Sequence, residues 1–500
     1  MPKNPQNAIA DSSNPGKSDV TEPQSDRLGL SSIKQLMQSF YINEVPSYGN
    51  NFFFTIGVYL LELFGILAVT GIVMLVFGPY WWNLTLVGTF FRSVHLWAAE
   101  AFVTLIFVHL LVQFATSSFK KKKLVWVLGA AMLFLVMLEY AFGIGVQGGF
   151  VAQWNAKAGA DLWNGMGLGY WVNPLNMAAV LGWHIAIVPL LLVILMFAHY
   201  MLVKQKGLSK PYRNDIPYSM VPANHKTMYK RMAYVLVVVL LFAVILRSPY
   251  IAPISIQHIA NTTPDIMALT LMQEFNFTSA TATYFDTIDP YTFSTRNVYV
   301  SVPYSSYVGI TGSRNYEAEL LNESPSAQNA SLGFAARYFD SNGSISKGIN
   351  SSNPAIAMFS QLTRMAQTGL YGDQLKGEVQ NPLNETYEIR FITDSGALDT
   401  YATQYDLRTS QWGMLKAGNL WWQIGSYWTA PYNWMEIVTD GIPWWGDLEN
   451  GLVALAAFAV LIFFPFIPGI RDIPDKLKLY KIFWNRHTIP EMKKGIKKKP

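Results

Sequence analysis

Four of the seven histidines in this chain fall as two pairs inside long apolar runs, His95 with His109 and His184 with His199, at separations of fourteen and fifteen residues. An α-helix rises ~1.5 Å per residue, so each pair sets its imidazoles about 21 to 22 Å apart along one helix. Fourteen residues is nearly four whole turns, so both members of a pair share a side. Two such helices lying together would oppose His95 to His184 at one depth and His109 to His199 at another. Each level then becomes a bis-imidazole iron site, with two haems stacked across a membrane. A single histidine in a membrane helix more often serves as a hydrogen-bonded interior group or a proton relay. Matched spacings on two separate helices favour haem. His225, His258 and His487 stand in polar segments and read as solvated.

The elements that must hold these histidines are membrane spans. Hydrophobic residues make up 51% of the chain and charged residues 14%, and several uncharged runs reach the ~20 residues that cross a bilayer. Six spans are expected, near 53–78, 90–117, 124–146, 177–203, 232–248 and 450–468. The first apolar run begins beyond residue 50, so no cleavable signal peptide is expected. Residues 1–28 read as a disordered tail. From Leu28, the residues Ile33, Leu36 and Phe40 follow near helical spacing and suggest a short amphipathic helix on the inner surface.

Basic residues orient the bundle. Lys120 to Lys123, the cluster between Lys204 and Arg231, and the tail from Arg471 would all fall on the cytoplasmic side with both termini. Sequons at Asn83, Asn261, Asn276, Asn322, Asn329, Asn342, Asn350 and Asn384 would all fall outside as glycosylation sites. The expected location is the plasma membrane. Residues 249–428 form a large extracellular domain between spans five and six. Runs such as Val298 to Val302, Tyr307 to Ile310 and Tyr387 to Ile392 predict that it is mainly β. The expected fold is a membrane all-α protein: a four-helix dihaem bundle over 29–215, a fifth span with its lead-in over 216–248, the outer domain, a sixth-span segment over 429–470, and a basic tail over 471–500. Cysteine is absent from the chain. That excludes disulfides, haem attached through C-x-x-C-H and thiolate-held iron–sulfur clusters, so any such centre would belong to a partner. Nothing in the sequence suggests nucleic acid.

Glycine spacing adds a further pattern. Gly57 and Gly71 in span one, and Gly129 and Gly143 in span three, are fourteen residues apart, echoing the histidines. With this pattern the membrane part resembles cytochrome b of the bc and bf complexes, over about residues 30–215 and 429–470. The resemblance implies that the four glycines let haem approach the backbone closely. It places Arg92 on a propionate of the outer haem, and Lys204 near the inner haem and an inner quinone. The segment HYMLVKQKGLSKP after Pro189, and the fifteen-residue histidine interval, are bf-like.

The outer quinol site departs from the family. Where it has Pro-Glu-Trp-Tyr, this chain has Pro431-Tyr432-Asn433-Trp434, and the glutamate is missing. Pro431, Trp434 and Glu436 are the expected site residues, with Glu436 or Asp440 as general base. Trp421, Trp422, Trp428, Trp434, Trp444 and Trp445 read as an aromatic belt or as walls of a quinone pocket. Gly145 to Gly148 replaces the usual Pro-Trp after the third helix. These departures resemble an archaeal respiratory member.

The resemblance implies a subunit of a quinol-oxidising complex with two haems, b-type by default although a modified porphyrin suits the same ligands. Quinol, membrane lipid, a Rieske iron–sulfur protein and other respiratory or oxidase subunits are the implied partners, in a homodimer or larger complex. Two other readings stay open. One is a haem conduit in a terminal-oxidase assembly that does not bifurcate electrons. The other is a non-enzymatic envelope module anchored by six helices, which leaves the four histidines unused.

Overall fold

A computed structural model describes residues 42–208, 219–283, 293–377, 383–416 and 425–483. The 1–28 tail, Trp421, Trp422, His487, nearly all of the expected amphipathic helix, and the basic tail from residue 484 on lie outside the described residues. The chain divides into two units, Met1–Glu44 and Val45–Pro500. All that follows concerns the second.

Six helices are long and apolar enough to cross a membrane: α1 (Phe52–Leu84), α2 (Leu86–Ala115), α3 (Lys123–Gly145), α4 (Met177–Lys206), α5 (His225–Ile245) and α6 (Leu448–Phe466). Four begin at a side-chain cap. Asn51, Thr85, Asn176 and Asn224 each accept a hydrogen bond from a backbone N–H two or three residues on, which satisfies a donor that the helix cannot. α1 runs six residues past its expected end. Gly78 turns the chain at φ 77° and Pro79 restarts the helix with its fixed φ.

Only Thr85 separates α1 from α2. A Cβ at Gly88 would collide with the Trp81 carbonyl, so this hairpin closes only over a glycine. Leu63, Val94, Phe102, Val136, Val180, Leu192 and Val239 form a shared core drawn from α1 to α5. α6 joins through Trp126, whose indole N–H donates to the Leu461 carbonyl at 2.8 Å, and through Phe134 against Phe458. Outward faces stay apolar, with Ile72, Val76, Leu190, Ile245 and Leu452 all more than half exposed. That surface suits lipid, not water.

The segments expected on one side do share one end of the bundle. Lys120 pairs with Asp472 at 2.7 Å and with Asp475, Lys122 donates to the Gly207 carbonyl, and Arg231 donates to the Asn50 carbonyl at 2.9 Å.

The region between α5 and α6 is helical, which corrects the expectation of a mainly β domain. Among the described residues, β structure amounts to one short two-stranded sheet involving Met220–Pro222 and an isolated bridge between Asn176 and Asn384. Val298 to Val302 enters a π turn (Asn297–Ser301) that continues as the helix Val302–Thr311, which contains Tyr307 to Ile310. Tyr387 to Ile392 lies in the helix Thr386–Asp394. Short β-branched and aromatic runs are equally at home in buried helices. The Ser, Asn and Pro between them, read as turns, are helix starts. Ser324-Pro325 and Asn353-Pro354 each supply a capping oxygen and a proline in the first turn.

At the centre of this domain the helix Pro354–Thr368 buries Ala355, Met358, Phe359 and Leu362 completely. The helix Phe150–Gly165, which follows α3, packs Phe150, Ala156 and Ala160 into the same core.

Candidate functional site

The histidine pairs meet as their spacing requires. His95 on α2 and His184 on α4 face each other with ring centroids 6.2 Å apart and planes at 70°. His109 lies within electrostatic range of His199 at the second level. Equal facing needs an explanation, because an interval of fifteen residues would rotate one ring by about 100° relative to fourteen. The difference is taken up inside α4. Residues Trp183–Ile187 form a π turn, with the Val188 N–H donating to the Trp183 carbonyl. Pro189 follows and has no N–H for the regular ladder. A π turn inserts one extra residue into a helix, so the bf-like interval delivers the same alignment as fourteen residues in α2.

Three of the four glycines border imidazoles. A Cβ at Gly71 would stand 3.5 Å from His95 Cε1, at Gly129 3.4 Å from His199 Cε1, and at Gly143 3.0 Å from His184 Cε1. At Gly57 it would meet nothing within 4 Å. His95 Nδ1 lies 2.9 Å from the Thr70 hydroxyl, which itself donates to the Ile66 carbonyl at 2.7 Å. His184 Nδ1 lies 3.0 Å from Glu139 Oε1 and 3.2 Å from the Glu139 carbonyl.

Arg92 is buried, and its guanidinium donates to Asn83, to Ser248 Oγ at 3.1 Å and to the Ser248 and Pro249 carbonyls. It joins the ends of α1 and α5 beside His95. Lys204 is half-buried one turn beyond His199.

The segment before α6 is more dispersed. Pro431 opens the helix Ala430–Thr439, Trp434 is 59% exposed, and Glu436 accepts from the Thr409 hydroxyl at 3.3 Å. Asn433 is fully buried and donates to the Thr409 carbonyl at 2.9 Å. Trp428 and Tyr427 reach the bundle: Trp428 packs edge-on against Tyr140 at 4.2 Å, and Tyr427 hydrogen-bonds Thr104. Beyond α3, a cavity of about 60 Å³ is bordered by Gly145, Gly148, Gln153, Met177 and Glu385. It has room for a few waters. Burial, then the neighbouring Glu388, raises the Glu385 carboxyl above its ordinary range.

Of the sequons, Asn261, Asn322, Asn329, Asn342 and Asn350 are exposed, whereas Asn276 and Asn384 are half-buried. Asn83 is engaged on both amide atoms, by Arg92 and by the Gln147 carbonyl.

Sequence reasoning passed over three glutamates in α1, α2 and α3: Glu62, Glu100 and Glu139. Glu100 is buried and accepts from Tyr140 at 2.7 Å. Each could have been found as an acid interrupting an apolar run.

Comparison with known proteins bears on this bundle directly. Residues 100–264 match the family model described as Cytochrome b(N-terminal)/b6/petB. Cytochrome b6 of Heliobacterium mobile is 27% identical over 205 residues, covering 36% of this chain and 96% of that protein. Over this region the chain is similar to cytochromes b of bc/bf type. A cytochrome bc complex cytochrome b subunit of Chlorobaculum thiosulfatiphilum is 26% identical over 203 residues, 34% of this chain and 44% of the relative. A chain of a solved "Hyperthermophilic respiratory Complex III" aligns over 74% of this chain and 98% of its own length, at 14% identity and a TM-score of 0.36.

A cytochrome b is a multi-pass membrane protein that carries haem, and the residues here fit one. Two metal–nitrogen bonds of about 2 Å each within the 6.2 Å centroid spacing leave about 1 Å per ring from nitrogen to centre, the size of an imidazole. Among the described residues no group of three or more His, Cys, Asp or Glu could hold a bare metal ion. Paired imidazoles suit a macrocycle that brings its own four nitrogens. His109 Nδ1 is buried with no hydrogen-bond partner among the described residues.

Proposed function

We propose that this chain is the dihaem cytochrome b subunit of a respiratory complex, taking electrons from membrane quinol and passing them across the bilayer between two haem levels. The observation that carries the reading is the facing of His95 and His184 at a separation that accommodates a six-coordinate iron. Haem bound at each level supplies a one-electron iron couple. His95 and His184 hold the outer iron and His109 and His199 the inner one. Gly57, Gly71, Gly129 and Gly143 keep side chains out of the approach. Arg92, beside the outer level, is the candidate partner of a propionate, and Lys204 of the inner haem and quinone.

Quinol binds at the outer face near Gly143, Gly148, Pro431 and Trp434, with Glu436 accepting a proton. One electron goes to a high-potential acceptor on a partner, by family a Rieske iron–sulfur protein, and the other enters the outer level. Protons are released outside while charge moves inward, and each charge crossing 100 mV stores ~2.3 kcal/mol. The outer helical domain carries glycans at its exposed sequons in an archaeal plasma membrane, and the complex is a homodimer or larger.

The deciding experiment is the reduced-minus-oxidised optical spectrum of the purified chain with its haem content. Two low-spin haems per chain are expected. A folded, membrane-inserted preparation without haem overturns the reading. A second reading is favoured by Glu436, which is turned to Thr409: a haem conduit in an oxidase assembly that does not bifurcate. Quinol oxidation of equal rate with and without a Rieske partner would select it.

A further inference from the structure

Of the three glutamates in α1, α2 and α3, one touches an imidazole. Glu62 Oε2 is buried with no partner among the described residues, Glu100 pairs with Tyr140, and Glu139 presents Oε1 to His184 Nδ1 at 3.0 Å. Glu139 Oε2 is also buried without a partner, so among the described residues this carboxyl reaches His184 alone. A carboxyl in hydrocarbon is costly and marks a function when it is kept. The opposing imidazole is treated differently. His95 meets the hydroxyl of Thr70, a neutral acceptor whose own proton is committed to a backbone carbonyl. Two rings that face each other are therefore unequally polarised.

We infer that Glu139 is a positioning residue that tunes the iron site at the His95–His184 level. Together with the Glu139 carbonyl, 3.2 Å from the same nitrogen, the carboxyl holds the Nδ1–H of His184 and so the tautomer that leaves Nε2 free for a metal. It also raises the basicity of that ligand, as carboxylates behind metal-bound histidines do. Stronger donation favours the ferric over the ferrous form, so the outer level has a lower reduction potential than neutral acceptors would give. The step concerned is a one-electron one, ferric iron plus an electron giving ferrous iron, with no bond made or broken. Among the described residues no such acceptor stands at His109 Nδ1. The inference rests on the reading of His95 and His184 as axial ligands.

Potentiometric titration of the haem-loaded full chain, followed optically and by low-temperature paramagnetic resonance, tests it in Glu139→Gln, Glu139→Met and, as control, Glu100→Gln. At the wild-type outer midpoint, the reduced-to-oxidised ratio should rise roughly tenfold in Glu139→Met, about 59 mV for one electron, and less in Glu139→Gln. The inner midpoint should stay put, and Glu100→Gln should move neither. Unchanged outer midpoints in Glu139 variants that hold two haems would overturn the inference while leaving the ligand assignment intact. An equal shift from Glu100→Gln would overturn it too, by showing a general field effect. If Glu139→Met fails to hold two haems, the near-isosteric Glu139→Gln decides. A wild-type protein with no bis-imidazole spectrum would remove the ligand assignment itself.

Discussion

Buried carboxyls appear in two solvents within this molecule, and they are stabilised by different means. In the spans, Glu139 faces a histidine and Glu100 a tyrosine. In the outer domain, Glu274 is fully buried beside Asp394, with Ser279 donating to it at 2.7 Å. Asp161 there accepts from the buried Arg390 at 3.1 Å and pairs with Lys157 at 2.9 Å. The domain between α5 and α6 builds its core from many short helices, which bring basic and hydroxyl partners to its buried carboxyls. The bundle has few polar side chains, so each one is a candidate for work on a cofactor. The comparison predicts that polar substitutions in the bundle change haem chemistry, whereas those in the outer domain change stability.

The largest effect should come from His109→Leu. It should halve the haem content by pyridine haemochrome assay while leaving the His95–His184 level spectroscopically intact. Loss of both haems would show that the two levels assemble as one and would weaken the contrast. Next, Arg390→Met takes one of its two cationic partners from Asp161, leaving Lys157, and should destabilise the outer domain by about 1–3 kcal/mol, read by denaturant unfolding of the full chain. Adding Asp161→Asn should recover most of that loss.

The Glu274 pair gives a pH signature. Burial first, then Asp394, pushes the Glu274 carboxyl from 4.5 up to about 9. The folded state thus prefers it protonated. Its contribution to stability is fully present below about pH 4.5 and is lost as pH rises through about 9. Melting of the outer domain followed from pH 4 to 9 should show that decline, and Glu274→Gln should flatten it. A stability that rises across this range would contradict the assignment.

The smallest and sharpest test sets two glycines against each other. Gly143→Ala places a methyl 3.0 Å from His184 Cε1 and should cost about 1–3 kcal/mol by overpacking, with weakened haem retention. Gly57→Ala meets no protein atom within 4 Å and should leave haem-free stability unchanged. Any loss of haem it causes then reports close approach of the porphyrin alone. Retention of haem by both alanine variants would remove the glycines from the site.

The bundle was legible because length and apolarity suffice for membrane helices, and because paired histidines at matched intervals are hard to obtain otherwise. α1 was underestimated because Gly78-Pro79 reads as a stop, although it only bends the helix. The outer domain was misread for a physical reason. Runs such as Tyr387 to Ile392 carry no periodicity that separates a buried helix from a buried strand, and Ser-Pro and Asn-Pro begin helices as readily as they make turns. As a partner of His184, Glu139 is not legible in the sequence, because nothing in an apolar run tells which neighbouring helix an isolated acid will face. Its partner, fully forty-five residues along the chain, is visible only once α3 and α4 lie together.

The π turn at Trp183–Ile187 gives α4 a property that α2 lacks. A regular helix is an inflexible ruler, on which one inserted or deleted residue swings everything beyond it to another face. α4 carries a spare residue. Removing one position such as Ala186 would let the turn relax to α-helical geometry while His184 and His199 keep their common side. The same deletion between His95 and His109 would break the alignment. Chain length between the two histidines can therefore drift by one in this helix without turning either away, which is how a fourteen-residue and a fifteen-residue interval come to face each other at the same pair of levels.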